Sequence, residues 1–314
     1  GSGVGSAFGR VRLLPRRHLA PENKDPMANE SIRVLPVTGT IGADIEGVDL
    51  SQDVSDEVFA QIRAALVEHL VIFFRDQDIS LDQQAALTRR FGPPANTPFI
   101  ETMSENSEVI EIVKEADEKT RFVFGGAWHS DFSFQKQPPY VTFLRAKEVP
   151  AFGGDTLYAN MINAYETLPD ALRDKVDNMV GLHSGDRAYS PKMQGLQDLL
   201  ENMQVNNTEE AQVVQRHPLV RVHPESGRRG LFVNPVYSVG IEGMSAEEGE
   251  AFIDGLNKHA LHEANTCRFR WRQNSIAIWD NRFTQHYALN DYAGKRRHMY
   301  RTTAAGEAPV GIGA

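Results

Sequence analysis

The segment Trp128-His129-Ser130-Asp131 has the clearest chemical content in the chain. His129 and Asp131 are two residues apart, and on an extended chain alternate side chains share a face. An imidazole and a carboxylate can then converge on one metal ion. Two ligands do not close a site. The best distant third is His286, in Trp279-Asp-Asn-Arg-Phe-Thr-Gln-His286-Tyr. It follows the apolar stretch Ser275 to Asp280, so it is expected near the end of a strand. Two histidines and one carboxylate on one face leave three octahedral positions open, which is the ligand set of non-haem Fe(II) oxygenases. Carboxylate and imidazole donors without thiolate suit Fe(II) better than a structural zinc. Taken alone, His-x-Asp is a common sequence, and a hydrogen-bonded surface pair is its ordinary alternative.

A basic cluster follows His286. Lys295, Arg296, Arg297 and Arg301 lie within seven residues. The alternation Arg297-His-Met-Tyr-Arg301 reads as a strand with Arg297, Met299 and Arg301 on one face. Two guanidinium groups beside a metal would each hold a carboxylate or sulfonate bidentately. The alternative is an ordinary solvated charge run. Other templates are missing: there is no P-loop, no dinucleotide-binding glycine pattern, no Gly-x-Ser-x-Gly elbow and no helical His-Glu-x-x-His. His259 and His262 are three apart on an expected helix and could share a metal. Two solvated residues near a helix C-terminus, where cations are favoured, are the simpler reading.

Several elements must position these groups. Ile32 to Val37 alternates like a strand, and Gly39, Gly42 and Gly47 mark turns. Ser55 caps a helix with Asp56 and Glu57 in its first turn and Val58, Phe59, Ile62, Ala65 and Leu66 at helical spacing. Leu70 to Phe74 reads as a buried strand. Asp82 to Phe91 is a second helix, stopped by Gly92, Pro93 and Pro94. Glu108–Val113, Thr142–Lys147 and Leu231–Asn234 read as extended. Ser245 to His262 is the strongest helix pattern, with Glu247 and Glu248 after its cap. Cys267–Arg272 and Ser275–Asp280 flank Gln273-Asn274, a hairpin signal. Early helices, many short later strands and no fixed repeat exclude a solenoid or a doubly wound sheet. The expected fold is mainly β with helical additions, a β-sandwich or jelly roll.

Composition narrows the setting. The chain has 314 residues, 41% hydrophobic and 24% charged, as in an ordinary globular protein. A formal net charge of −9 argues against broad nucleic-acid binding. A single cysteine, Cys267, excludes an intrachain disulfide. No run of about 18 apolar residues suggests a membrane span. Residues 1–26 carry five basic residues against two acidic ones, +3, which leaves −12 for the remainder. They are expected to be an expression-vector leader ending before Met27, with an organellar transit segment as the alternative. A single domain is expected over 27–305. The small-residue stretch 306–314 is expected to be a flexible tail. A cytoplasmic location is expected.

The residues now named resemble the Fe(II)- and 2-oxoglutarate-dependent dioxygenases of the taurine / dichlorophenoxyacetate dioxygenase family. The likeness runs from about Ile32 to Thr303. It is carried by Val71-Ile-Phe-Phe-Arg-Asp-Gln77, Trp128-His-Ser-Asp131, Pro138-Pro139, Gly153-Gly-Asp-Thr156, His223-Pro-Glu-Ser-Gly-Arg-Arg229, Trp279-Asp-Asn281, Thr284-Gln-His286 and Asp291-Tyr292 through Arg301. The resemblance implies a distorted double-stranded β-helix, a jelly-roll and cupin-like fold. It implies Fe(II) on His129, Asp131 and His286. It implies Thr156 and Arg297 on the distal carboxylate of the cosubstrate 2-oxoglutarate, and Arg301 on the acidic head of the primary substrate. The carboxylate Asp131 implies hydroxylation rather than halogenation. The reaction implied consumes 2-oxoglutarate and O2, hydroxylates a substrate carbon, and yields succinate and CO2. A homo-oligomer is a further expectation from the family.

One departure bears on the substrate. Taurine-cleaving members carry a histidine shortly after the Phe-Gly matching Phe91-Gly92, where it meets the sulfonate. Here the stretch is Pro93-Pro-Ala-Asn-Thr-Pro98, and Thr97 lies nearest that position. Thr97 is neutral and adds no charge. Phe132 and Tyr237 align with positions lining the substrate side, with ordinary core aromatics as the alternative. The expected substrate is a small organic anion: a sulfonate, an alkyl sulfate or an aryloxyalkanoate. The competing enzyme reading is a metal-dependent hydrolase using zinc-bound water on the same three ligands. Such a hydrolase has no need of the second carboxylate clamp at Arg297. A binding protein with a decayed metal site would not keep all three ligands.

Overall fold

The computed structural model describes residues 31–118, 123–193, 195 and 200–313. The expected leader, residues 1–26, lies outside the described residues. Strands β1 (Arg33–Pro36), β2 (Ala43–Glu46), β3 (Val71–Phe74), β4 (Ile110–Lys114), β5 (Val141–Glu148), β13 (Ile276–Asp280) and β15 (Arg297–Thr303) form one sheet. Their spatial order is β1-β2-β3-β13-β5-β15-β4. The pair β2–β3 is parallel and the other ladders are antiparallel. Its central strands are buried on both faces, so they read in sequence as unbroken apolar runs. Along β3, Val71 and Phe73 enter one core while Ile72 and Phe74 enter another; Ala277 and Trp279 part from Ile276 and Ile278 in the same way.

The outer face is covered by helices α1 (Asp56–His69) and α2 (Leu81–Arg89). The Ser55 hydroxyl accepts from the Val58 N–H and starts α1, with Asp56 and Glu57 meeting the helix dipole. Val58, Ile62 and Leu66 then pack on Ile72, Phe74 and Ile278. Ser80 and Gln83 form a capping box that starts α2 at Leu81, one residue before the expected Asp82.

Against the inner face lies a second sheet of β6 (Thr156–Asn160), β12 (Thr266–Phe269) and β14 (Thr284–Ala288), in the order β12-β6-β14. The aromatic core between the two sheets includes Phe73 stacked on Phe269 at 4.0 Å and Tyr158 at 5.5 Å from Trp279. A third core gathers around α3 (Met161–Glu166), α4 (Asp170–Val176) and the long α6 (Ala246–Ala260). Between them in sequence are the short α5 (Asp186–Tyr189) and strands β7 (Val180–His183), β8 (Gln215–Pro218), β9 (Val220–Val222), β10 (Arg229–Leu231) and β11 (Ser238–Ile241). The order there is β11-β7-β8, with β9 and β10 as a separate pair. The Ser245–Glu248 capping box that starts α6 is the one legible in sequence. The fold is sheet-rich with helical additions, as expected. No helix among the described residues is long and apolar enough to cross a membrane.

Three expectations are corrected. Cys267–Arg272 and Ser275–Asp280 do not form a hairpin: β12 pairs with β6, while β13 pairs with β3 and β5 in the other sheet. The intervening turn is taken up by β5, since Ala146 donates to Ser275 O and accepts from Asn274 N–H. The extended stretch expected at Leu231–Asn234 is a strand only at its first residue; β10 runs Arg229–Leu231. Residues 306–313 do not hang free. Val222 N–H donates to Val310 O, and Glu307 pairs with the buried Arg221 and Arg282, each at 3.3 Å. Arg282 is already paired with Asp280 at 2.6 Å, so Glu307 chiefly answers the buried Arg221, which composition alone does not reveal.

Candidate active site

His286 stands in the middle of β14, opposite Tyr158 of β6. On the open side of β14 the chain at Gly125–His129 runs alongside. His129 N–H donates to His286 O at 3.1 Å, and His286 N–H returns a bond to His129 O at 2.8 Å. Ala288 N–H also donates to Gly125 O, at 3.0 Å. This reciprocal bridge brings the two imidazoles together, with ring centroids 4.2 Å apart. Asp131, two residues on, adds its carboxylate. Oδ1 of Asp131 lies 3.5 Å from His129 Nε2 and 3.7 Å from His286 Nε2. One donor atom from each residue falls within 4.8 Å of the others.

The protonation of this set suits a cation. Nδ1 of His129 lies 2.7 Å from Ala127 O, a carbonyl that can only accept, so Nδ1 carries a proton and Nε2 is the atom turned toward Asp131 Oδ1. Burial, then the neighbouring His129, push the His286 imidazole well below its ordinary value, so it stays neutral. Burial alone would raise the Asp131 carboxyl. The Arg301 guanidinium and the imidazoles outweigh it and hold the group well below the usual carboxylate range. Two imidazole nitrogens and one carboxylate are a donor set for a divalent ion. Trp279 packs beside His286 at 4.8 Å and Tyr158 stacks on it at 6.2 Å, which fixes the ring.

Arg297, Met299 and Arg301 share the inner face of β15, as their alternation predicts; Met299 enters the aromatic core. Both arginines line a cavity with His129, His286, Thr156 and Trp279. Arg297 is 4% exposed, yet its Nε and Nη2 have no hydrogen-bond partner. A buried guanidinium with unmatched donors is costly unless an acceptor completes it. A carboxylate is the natural complement. Beside it, Thr156 Oγ1 accepts from Trp271 Nε1 at 2.9 Å, which leaves the hydroxyl proton available to donate. Gly154, at φ +72°, backs this pocket; a Cβ there would sit 3.2 Å from Arg297 Cδ. The orphaned guanidinium and the His/Asp/His set therefore fit an organic acid and a divalent metal side by side.

A second cavity of about 300 Å³ opens on the other side of His129 and Asp131. Its walls are mainly apolar: Val123, Phe124, Leu200, Val205, Val236, Tyr189 and Tyr237. Burial pushes the Tyr189 phenol up to about 12, and burial with Tyr189 beside it raises Tyr237 well above its ordinary value. Both hydroxyls therefore remain protonated. Tyr237 lines this cavity together with His129 and Asp131.

Two expected substrate contacts, Phe132 and Thr97, are placed away from both cavities. Phe132 lines neither cavity; its backbone at φ +44° turns the ring into a cluster with Phe99, Phe134 and Tyr189. Thr97 lines a separate outer cleft with Glu101 and Glu108. A turn closed by Ile100 N–H on Thr97 O sends Phe99 inward instead. Arg301 lines the first cavity rather than the apolar one. Its Nη2 is 2.8 Å from Asp131 Oδ2, and its Nε donates to Thr303 Oγ1 at 3.3 Å. His259 and His262 do not meet: His259 bonds Ala164 O and Thr167, and His262 caps the turn at Ala264. Residues that sequence reasoning missed are Tyr189, Leu200, Val205 and Val236, ordinary apolar and aromatic types with no local motif to single them out.

Comparison with known proteins agrees with this arrangement. The sequence model of the family described as taurine catabolism dioxygenase TauD, TfdA family matches residues 33–303. The chain is 36% identical over 281 residues to an alpha-ketoglutarate-dependent sulfate ester dioxygenase of Pseudomonas putida, covering 89% of this chain and 91% of that protein. It is 31% identical over 287 residues to an alkylsulfatase of Acinetobacter baylyi, covering 90% of this chain and 87% of that protein. The crystal structure of a taurine dioxygenase from Burkholderia xenovorans aligns with a TM-score of 0.76 at 36% identity, over 90% of this chain and 92% of the other.

Proposed function

Since the chain belongs to the taurine catabolism dioxygenase TauD, TfdA family, we propose that it oxidises an organic sulfate ester with an apolar body, on a distorted double-stranded β-helix. It is a 2-oxoglutarate-dependent non-haem iron dioxygenase acting on a small organic anion. The observation that carries the site assignment is the buried Arg297 with unmatched donors, in one cavity with His129 and His286. His129, Asp131 and His286 would hold Fe(II), and Arg297 with Thr156 would hold the distal carboxylate of 2-oxoglutarate. When bound, the iron and its cosubstrate supply oxidation by O2, with one oxygen atom entering succinate and the other the substrate carbon.

The chain's own residues position and shield this chemistry. Arg297 and Thr156 orient the cosubstrate by matching a buried charge. The apolar walls around Tyr237 exclude water from the substrate side and accept a hydrocarbon body. Arg301 is proposed to meet the anionic head while its Nη2 contacts Asp131, since a guanidinium has five donors. Hydroxylation of the carbon bearing the sulfate oxygen leaves an unstable product. Its hydroxyl loses a proton, a carbonyl forms, the C–O bond to sulfate breaks, and inorganic sulfate leaves.

The choice of sulfate ester over sulfonate or aryloxyalkanoate is supported by the two relatives named above and by the apolar second cavity. A cytoplasmic, homo-oligomeric enzyme belongs to the same reading, with one domain that takes in the bonded C-terminal segment. The test is anaerobic addition of Fe(II) and then 2-oxoglutarate, followed by alkyl sulfates under O2. A visible charge-transfer band and stoichiometric succinate and sulfate are expected. Bound iron without a band would refute the cosubstrate site. A band with succinate released only by sulfonates or aryloxyalkanoates would refute the sulfate-ester choice.

A further inference from the structure

Asp131 is held by a hydrogen-bond chain that has a direction. Register places Thr142 of β5 directly opposite Trp279 of β13. The indole Nε1–H of Trp279 donates to Asn281 Oδ1 at 2.8 Å. An indole is only a donor, so this contact fixes which end of the Asn281 amide is oxygen. Asn281 Nδ2 must then donate onward, and it reaches Thr142 Oγ1 at 2.7 Å. With that lone pair occupied, the threonine hydrogen is left for Asp131 Oδ2, 3.2 Å away. Arg301 Nη2 meets the same oxygen at 2.8 Å. Trp279, Asn281, Thr142 and Asp131 are all 3% exposed or less, so water does not compete along the chain.

We propose that Thr142, oriented by Asn281 and Trp279, is a positioning residue that reserves Asp131 Oδ2 for protein donors and leaves Oδ1 alone to bind the metal. Oδ1 is the oxygen that faces both imidazole Nε2 atoms. A carboxylate bound through both oxygens would consume a coordination position that the cosubstrate and O2 require. Thr142 thus protects the open side of the site without touching iron. This rests on the metal reading proposed above.

The test uses Co(II) as a spectroscopic probe of the full-length apo-protein. The variants are Thr142→Val, Thr142→Ser and Asn281→Asp. Thr142→Val keeps shape and removes the donor. Asn281→Asp still accepts from Trp279 but cannot donate, so the threonine hydrogen turns toward the new carboxylate. Both are expected to weaken Co(II) binding roughly 10- to 100-fold, as loss of an outer partner of a metal ligand does. Both should also shift the Co(II) visible bands, and Thr142→Ser should restore wild-type values. A merely structural role would lower the apo-protein's thermal midpoint and leave the spectrum of the bound ion unchanged. That result, or Co(II) affinity within twofold of wild type in Thr142→Val, overturns the proposal. If Thr142→Val does not fold, Asn281→Asp decides by the same titration. A wild-type chain that binds no Co(II) overturns the parent reading and this one with it; wild-type binding with unchanged variants overturns this one alone.

Discussion

Replacing Arg297 by leucine should separate cosubstrate binding from metal binding, and the structure predicts a sign for both states. In the apo-protein Arg297 is buried and its Nε and Nη2 donate to nothing. Burial lowers its pKa against the opposing pull of Tyr292, Tyr158 and Asp155. Leucine removes an uncompensated buried cation, so the apo variant should be as stable as wild type or more so. With 2-oxoglutarate present the balance reverses. Two charge-assisted hydrogen bonds are worth about 1.5–3 kcal/mol each. Their joint loss is then about 3–6 kcal/mol, or roughly a hundredfold to ten-thousandfold in affinity at 1.4 kcal/mol per tenfold. The metal ligands are not touched, so Fe(II) or Co(II) affinity should stay within a few-fold. Anaerobic titration of the iron-loaded protein with 2-oxoglutarate, followed by the charge-transfer band, measures the first quantity. Differential scanning fluorimetry of the apo form measures the second. Affinity for 2-oxoglutarate within threefold of wild type would refute the assignment of Arg297. A large fall in apo stability would show that the guanidinium is structural and already compensated.

Other outcomes follow from the same geometry. His286→Ala should abolish both turnover and tight metal binding, read by metal content after dialysis; a fully loaded, active variant removes His286 from the set. Gly154→Ala should weaken 2-oxoglutarate binding, because φ +72° costs a residue with a side chain roughly 1–2 kcal/mol and the new methyl crowds Arg297; unchanged KM for the cosubstrate would refute it. Burial holds the imidazoles of His183 and His217 down at about 3 and about 4, against an ordinary 6.5. Below pH 6.5 the unfolded chain therefore binds protons that the native fold refuses. Stability is full above that pH and falls as it drops toward 4, by about 1.4 kcal/mol per pH unit for each histidine. Denaturant midpoints that stay flat from pH 7.5 to 5 would contradict this. Val236→Trp should fill the apolar cavity and select against substrates with long hydrocarbon bodies; an unchanged chain-length profile in a sulfate-release assay would place the substrate elsewhere.

The parts legible in the sequence are those encoded locally or by a simple period. His129 and Asp131 announce themselves by a spacing of two, and Arg297 and Arg301 by alternation with Met299. The helices after Ser55 and Ser245 start where expected because a cap is a short-range signal, whereas the Ser80 cap, with Gln83 as its partner, is not read from the sequence. The apolar cavity is built from positions 123 to 237 on unrelated segments, and no period links Tyr189 to Val236. The family resemblance implies Thr97 and Phe132 on the substrate side, but it does not convey a turn at Thr97–Ile100 or a left-handed backbone at Phe132. The false hairpin at Gln273-Asn274 has the same origin: turn residues mark where a chain bends, not which partner its next strand finds. Glu307 shows the long-range case most plainly, since what orders the tail are two arginines 86 and 25 residues away.

The reciprocal bridge between His129 and His286 also determines how such a site tolerates change. A side chain on an extended segment alternates faces, so inserting or deleting one residue between Gly125 and Asp131 would rotate the ligands away from His286. Loop length there is restricted to a single value, and so is the residue at Gly126, where a Cβ would sit 2.9 Å from Val123 O. About half of the lining of the apolar cavity, Ala188, Tyr189, Leu200, Val205, Val236 and Tyr237, comes from outside that segment. Tyr237 packs on the His129 ring at 6.3 Å and Tyr189 on Phe132 at 5.7 Å, which ties them to the ligands. On the proposed reading, Leu200, Val205 and Val236 are therefore the positions where substrate range can change while the bridge stays fixed.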